Sequence, residues 1–141
     1  MNIETIYLMT ENGRFVCTSP FNDITIKKDR ADETCKQRVA WGDGESTVIL
    51  YNTKSERFWA VSPDLATPHV EELVTAQKKE WTTFDYQFVD ADETLMTLRT
   101  RGGDYVSRID IGRPHEHLAA NTADADAASR FRVIRFADDA A

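Results

Sequence analysis

Cysteine is scarce in this chain: Cys17 and Cys35 are the only two in 141 residues. They allow at most one internal bridge, too few for a disulfide-built secreted scaffold of this size. Two thiols are therefore expected, with a Cys17–Cys35 bridge as the one alternative. Basic charge is also in deficit, since 17 Lys and Arg stand against 24 Asp and Glu, a formal net charge of −7. A field of that sign repels phosphate backbones and anionic lipid surfaces, so neither nucleic acid nor a membrane is an expected partner. No stretch approaches the roughly 20 apolar residues of a membrane span. The start, Met1-Asn2-Ile3-Glu4-Thr5-Ile6-Tyr7, lacks the basic and apolar runs of a signal peptide, and no Asn-x-Ser/Thr acceptor occurs. The expected compartment is the cytoplasm.

What the chain does have is enough apolar material for one core, 41% hydrophobic against 29% charged residues, a balance typical of a folded globular domain. Three segments align without gaps on an aromatic that follows a polar tip: residues 6–15, 49–58 and 96–105. In each, apolar positions alternate at the period of two that a half-buried strand requires, as Ile6/Ile49/Met96 and Leu8/Tyr51/Leu98. Thr10, Thr53 and Thr100 form an identical column at the strand end, where a β-branched hydroxyl suits both strand and turn. The tips carry Asn12-Gly13, Ser55-Glu56 and Gly102-Gly103. The first and last are hairpin dipeptides able to take positive φ.

A second short strand follows each aromatic: Phe15-Val16-Cys17-Thr18, Phe58-Trp59-Ala60-Val61 and Tyr105-Val106-Ser107-Arg108. Each places a small residue two positions beyond the aromatic, and Phe15, Phe58, Tyr105, Phe84 and Phe131 are assigned to the core. Apolar pulses and aromatic-rich strands complete the units: Glu72-Leu73-Val74 then residues 84–88, and His117-Leu118-Ala119 then residues 131–134. The first copy, Ile24-Thr25-Ile26 then 35–41, is the least regular. A short helix over 64–79 is the competing reading for the middle copy, whereas the Ala-rich run 118–128 reads as a strand and a long loop.

The expected architecture is a single all-β domain of three repeats, about 4–45, 46–92 and 93–137, with an acidic tail at 138–141. Three units of four strands would build a β-trefoil, a six-stranded barrel capped by hairpins, and closure would remove the free sheet edges that template aggregation.

Apolar strand, Gly-bearing turn, aromatic-Val-small, apolar pulse and Phe-x-Val together resemble the β-trefoil modules of the fascin-like group. Tyr105-Val106-Ser107, Leu118-Ala119-Ala120-Asn121 and Phe131-Arg132-Val133 carry the match. The resemblance implies a cytosolic, non-enzymatic protein-interaction module with actin as a partner. Fascins string four such modules together and this chain has room for one, so cross-linking filaments would require an oligomer. The resemblance transfers no functional residue to a numbered position. Ricin-type lectins resemble one another through Gln-x-Trp, which is missing here: Gln37 and Trp41, like Gln77 and Trp81, are separated by three residues.

Chemistry-bearing clusters are few. His115-Glu116-His117 would put both imidazoles on one face of a strand, but two ligands do not make a metal site, and a polar turn after Pro114 is the plainer reading. Asp90-Ala91-Asp92-Glu93 and Asp124-Ala125-Asp126 lack the Gly and terminal Glu of a calcium loop and read as solvated turns. No nucleophile elbow, phosphate loop or dinucleotide fingerprint appears, so no enzyme activity, cofactor or metal is expected. Trp59 is assigned to the core. Trp41 and Trp81 sit beside Gly42-Asp43-Gly44 and Lys78-Lys79-Glu80, turn-like surroundings that would leave an indole partly exposed. The candidate ligand-binding residues are Trp41, Trp81, His115 and His117, and the candidate partners are a protein such as actin or a glycan. A protease inhibitor presenting loop 62–70 or 109–117 is the third reading.

Overall fold

The computed structural model describes residues 2–18, 24–28, 30–42, 46–52, 57–61, 68–72, 83–100, 103–109 and 116–136. They form twelve strands: β1 (Asn2–Met9), β2 (Phe15–Thr18), β3 (Ile24–Lys28), β4 (Gln37–Trp41), β5 (Thr47–Asn52), β6 (Arg57–Val61), β7 (Pro68–Glu72), β8 (Phe84–Phe88), β9 (Leu95–Arg99), β10 (Tyr105–Ile109), β11 (Glu116–Thr122) and β12 (Arg130–Arg135). Short 3-10 turns, Glu33–Cys35 and Ala127–Ser129, precede β4 and β12.

Pairing runs from β1 to β4, β5, β8, β9 and β12, and β12 returns to β1 with Tyr7 opposite Ile134 and Leu8 opposite Val133. All contacts around this ring are antiparallel, and the ring is a closed six-stranded barrel. The remaining strands form three hairpins, β2–β3, β6–β7 and β10–β11, over one end. β11 also pairs with β3, so the cap is tied across copies. This is the β-trefoil the repeats predict.

Alternation sorts the faces. Ile6 and Leu8, Met96 and Leu98, and Phe131 and Val133 point into the barrel. In the middle copy the inward residues are Val48 and Leu50, not Ile49 and Tyr51 as the ungapped alignment expects. The cause lies in the turn: Met9 pairs with Phe15 and Arg99 with Tyr105, but Phe58 pairs with Tyr51, and Asn52 with Arg57. Between the matching pairs Met9–Phe15, Arg99–Tyr105 and Tyr51–Phe58 the middle turn carries one extra residue, and a one-residue slip exchanges the two faces of a strand. Asn52 consequently takes the place of the expected Thr53. It is fully buried, and its Nδ2 donates to the Lys36 carbonyl at 2.8 Å and the Thr34 carbonyl at 3.2 Å, fastening the Glu33–Cys35 turn to β5.

A second correction concerns the aromatics. Phe84 and Phe131 are core, but Phe15, Phe58 and Tyr105 are only half-buried. The cap core comes from the next residue in each copy, Val16, Trp59 and Val106, all 0% exposed. Phe15 and Phe58 pack instead on Tyr7 and Tyr51, with ring centroids 5.5 Å apart in each case, and the Arg99 guanidinium lies over the Tyr105 ring. The small-residue column Cys17/Ala60/Ser107 is buried throughout, leaving room for Trp59, whose Nε1 donates to Gln37 Oε1 at 3.1 Å. Residues 68–72 are strand, which rules out helix there; 64–67 and 73–79, and with them Leu73-Val74 of the expected apolar pulse, lie outside the described residues.

The β1–β2 and β9–β10 connections share one turn geometry. Gly13 donates to the Thr10 carbonyl and Thr10 to the Arg14 carbonyl, and Gly103, Thr100 and Asp104 repeat the pattern. Gly13 and Gly103 have φ of +80° and +98°, the left-handed position that closes such a loop. A methyl at Gly13 would meet nothing within 4 Å, so Gly13→Ala isolates the conformational penalty. It is expected to cost about 1 kcal/mol, read as a lower urea midpoint with an unchanged slope.

Candidate functional site

Among the described residues no strand covers the end of the barrel opposite the hairpin cap, and period-two alternation decides which side chains reach it. Glu4 shares a face with Ile6 and Leu8, Trp41 with Val39, Tyr86 and Phe88 with Phe84, and Arg135 with Phe131 and Val133. Register brings these positions together, since Asn2 lies opposite Trp41, Phe88 opposite Met96 and Arg135 opposite Ile6.

Three aromatic rings make the floor of this mouth. Trp41 meets Tyr86 edge-on at 4.7 Å and Phe88 at 5.8 Å, and Tyr86 meets Phe88 at 5.6 Å. The Arg135 guanidinium lies over Phe88 at 5.6 Å. Glu4 Oε1 joins the polar side to the aromatic one, accepting from Trp41 Nε1 at 2.8 Å and from Arg135 Nε at 3.3 Å. Arg135 Nη1 also donates to the Glu93 carbonyl at 2.7 Å. The mouth is therefore a preorganised aromatic surface with a fixed cation and carboxylate on one side. Such a surface can hold a planar or apolar group and orient it by one charge, and its residues include no nucleophile paired with a base.

The turn that presents the Glu93 carbonyl is itself held by a carboxylate. Glu93 has φ of +57°, and Asp90 accepts from the Thr94 and Leu95 amides, each at 3.0 Å, and from the Thr94 hydroxyl. Those bonds, the hydroxyl foremost, favour the ionised form and hold Asp90 below the ordinary carboxylate value of 3.8. Asp126 likewise accepts from the Ser129 amide at 3.1 Å and caps the Ala127–Ser129 turn. Both acidic stretches are thus turn-capping devices, and no cluster of three metal-binding side chains occurs among the described residues.

Of the residues singled out in the sequence, Trp41 is in the mouth but is not the exposed platform expected: it is 7% exposed and supports Tyr86 and Phe88 from beneath. Its Gly-rich neighbourhood signals a turn, but Trp41 itself is the last residue of β4 and lies across from Asn2. Trp81 and His115 lie outside the described residues. His117 is in β11, paired with Ile109 and Thr25, so Glu116 and His117 begin a strand and do not belong to a turn. Sequence reasoning missed Glu4, Tyr86, Phe88 and Arg135. The one local signal was Phe84-Asp85-Tyr86-Gln87-Phe88, three aromatics on one face of a strand whose closed barrel can enclose only the first. A cavity of about 310 Å³ lies away from the mouth, between the first hairpin turn and β12, lined by Thr10, Glu11, Arg130 and Arg132 among others. Glu11 there accepts from Arg108 Nε at 2.6 Å.

Two outcomes check this geometry. Glu4→Ala strips the Trp41 indole and Arg135 of their shared acceptor and is expected to cost about 1–2 kcal/mol in urea unfolding; Glu4→Gln, which keeps an acceptor oxygen, should cost less. Asp90, followed by NMR, should titrate below 3.8. Because its folded value is depressed, its stabilisation is present above the ordinary carboxylate value and is lost as pH falls through the depressed one. Thr94→Val should move that midpoint upward.

No family model matches the chain, and no curated protein matches it in sequence. Among solved structures, the SDF2-like protein from Arabidopsis thaliana superposes with a TM-score of 0.72 at 12% identity, covering 92% of this chain and 91% of that one. At that identity the likeness speaks to fold alone. It supports the β-trefoil and not the fascin-like group in particular. The closed ring of six strands, the three-hairpin cap and this likeness together establish the chain as a β-trefoil.

Proposed function

We propose that this β-trefoil is a non-catalytic, cytoplasmic binding module that takes a protein partner at the open mouth of its barrel. The observation that carries the reading is the side-chain set gathered there: Trp41, Tyr86 and Phe88 beside Arg135. Aromatic residues and Arg dominate the energetics of protein interfaces because they combine large buried area with few rotamers and a polar edge. The two large apolar side chains most exposed among the described residues, Ile3 at 50% and Val89 at 47%, stand at the same end of the barrel. Ile3 is next to Glu4 and Val89 next to Phe88, so by alternation they add apolar surface on the outer side of the barrel beside the mouth. Fold alone does not license a partner. The fascin-like resemblance of Tyr105-Val106-Ser107 and Phe131-Arg132-Val133 makes actin the first candidate.

A glycan is the second reading, favoured by the same Tyr86 and Phe88 rings, since sugars stack on aromatic faces and hydrogen-bond to flanking charged groups. The inhibitor reading is narrower than the sequence implied: 68–70 and 116–117 are strand, and 62–67 and 110–115 lie outside the described residues.

Filament co-sedimentation at two salt concentrations tests the first reading. Pelleting with actin is expected, weakened about tenfold or more by Tyr86→Ala or Arg135→Ala. Absence of pelleting at either concentration removes actin. Binding on a glycan array that Tyr86→Ala abolishes would replace the protein reading with the carbohydrate one.

A further inference from the structure

Cys17 and Cys35 lie 18 positions apart in sequence and side by side in space. Cys17 is on β2 and 1% exposed, Cys35 closes the Glu33–Cys35 turn and is 0% exposed, and their Sγ atoms are 2.8 Å apart. That is nearer than two thiols approach in ordinary packing and farther than the about 2.05 Å of an S–S bond.

The threefold pseudo-symmetry shows what the fold itself demands at these two positions. In the third copy Ser107 occupies the column of Cys17, and Ser129 closes the Ala127–Ser129 turn as Cys35 closes its own. The capping contacts correspond. The Asp126 amide donates to Ser129 Oγ at 2.8 Å, and the Asp32 amide approaches Cys35 Sγ at 3.5 Å. Both turns begin with an Asp whose side chain receives a backbone amide. Serine therefore satisfies the packing and capping roles of both positions, and the sulfur pair of the first copy adds a chemistry that the fold does not require.

We propose that Cys17 and Cys35 are a redox modification site, forming a reversible intramolecular disulfide with small-molecule disulfides of the oxidised glutathione class. The Cys35 thiolate attacks one sulfur of the oxidant, forming a mixed disulfide and releasing one glutathione thiolate. The Cys17 sulfur, giving up its proton to solvent, then attacks Cys35 Sγ and expels the second glutathione. Two protein S–H bonds and one glutathione S–S bond are lost, one protein S–S bond and two glutathione thiols are gained, and the two electrons pass from the protein sulfurs to the oxidant. The contact with Cys17 lowers the Cys35 thiol from its ordinary value, which supports Cys35 as the attacking sulfur. The product ties the cap strand β2 to the turn that leads into the barrel strand β4. Because both sulfurs are buried, the exchange depends on transient opening of that part of the cap, so it is slow in the native protein and faster in mild denaturant.

The test is incubation of the full chain with oxidised glutathione, followed by intact mass and thermal unfolding. Loss of two hydrogens with no adduct, reversal by dithiothreitol and a melting temperature raised by roughly 10 °C are expected for a loop of this length. Cys17→Ser/Cys35→Ser is expected to fold, as the third copy does with serine, and to show neither response. A stable glutathione adduct on either cysteine, unchanged mass even under mild denaturant, or a bridged product with unchanged melting would each overturn the proposal. The mass measurement on the unsubstituted chain decides the matter whether or not the serine variant folds.

Discussion

Strands that bury one face still carry unpaired backbone donors and acceptors along each edge, and the pairing of β12 with β1 supplies the last of the partners. Much else depends on this closure. It makes inside and outside absolute, so that every second residue of β1, β4, β5, β8, β9 and β12 meets the same enclosed space. It brings the two ends of the chain together, placing Arg135 within reach of Glu4 across 131 residues of sequence. It also leaves a barrel with two different ends, one roofed by hairpins and the other occupied, among the described residues, by the side chains that point into it.

The two ends solve the same problem of exclusion by different means. At the cap, Val16, Trp59 and Val106 descend from three hairpins, and a column of small residues beside them allows the close approach. One bulky residue, Trp59, breaks the threefold equivalence there and is held by Gln37. At the mouth, no strand among the described residues forms a roof, and the buried Trp41 with the half-buried Tyr86 and Phe88 occupies the opening. A buried indole N–H needs an acceptor, which Glu4 provides, and the charge of Glu4 is balanced in turn by Arg135. The same groups that complete the core therefore form a charged aromatic surface, and the proposed binding role rests on it.

Pseudo-symmetry also separates structural from chemical roles. Where the third copy places Ser and the first Cys at corresponding positions, the shared geometry identifies the packing requirement and the difference identifies what has been added. The same comparison explains Asn52: where a longer turn shifts the middle hairpin, the position that holds Thr in the other copies takes a buried amide that bonds the turn before β4.

The amino-acid sequence by itself determined the fold class, the three hairpins and the core strands, because a period of two and a glycine at a left-handed turn position are local properties of Thr10–Arg14 and its counterparts. It could not show the extra residue in the middle turn, since an ungapped match of Ile49 with Ile6 is as good by composition as the true match of Val48. Nor could it separate Phe15 from Val16 as the core residue, because both are apolar and only the strand's orientation in the closed cap chooses between them. Only the tertiary structure decided that Trp41 is buried, that Glu4 and Arg135 meet, and that Cys17 touches Cys35. Each of these depends on register between strands far apart in the chain, and register is set by closure of the whole barrel rather than by any segment of it.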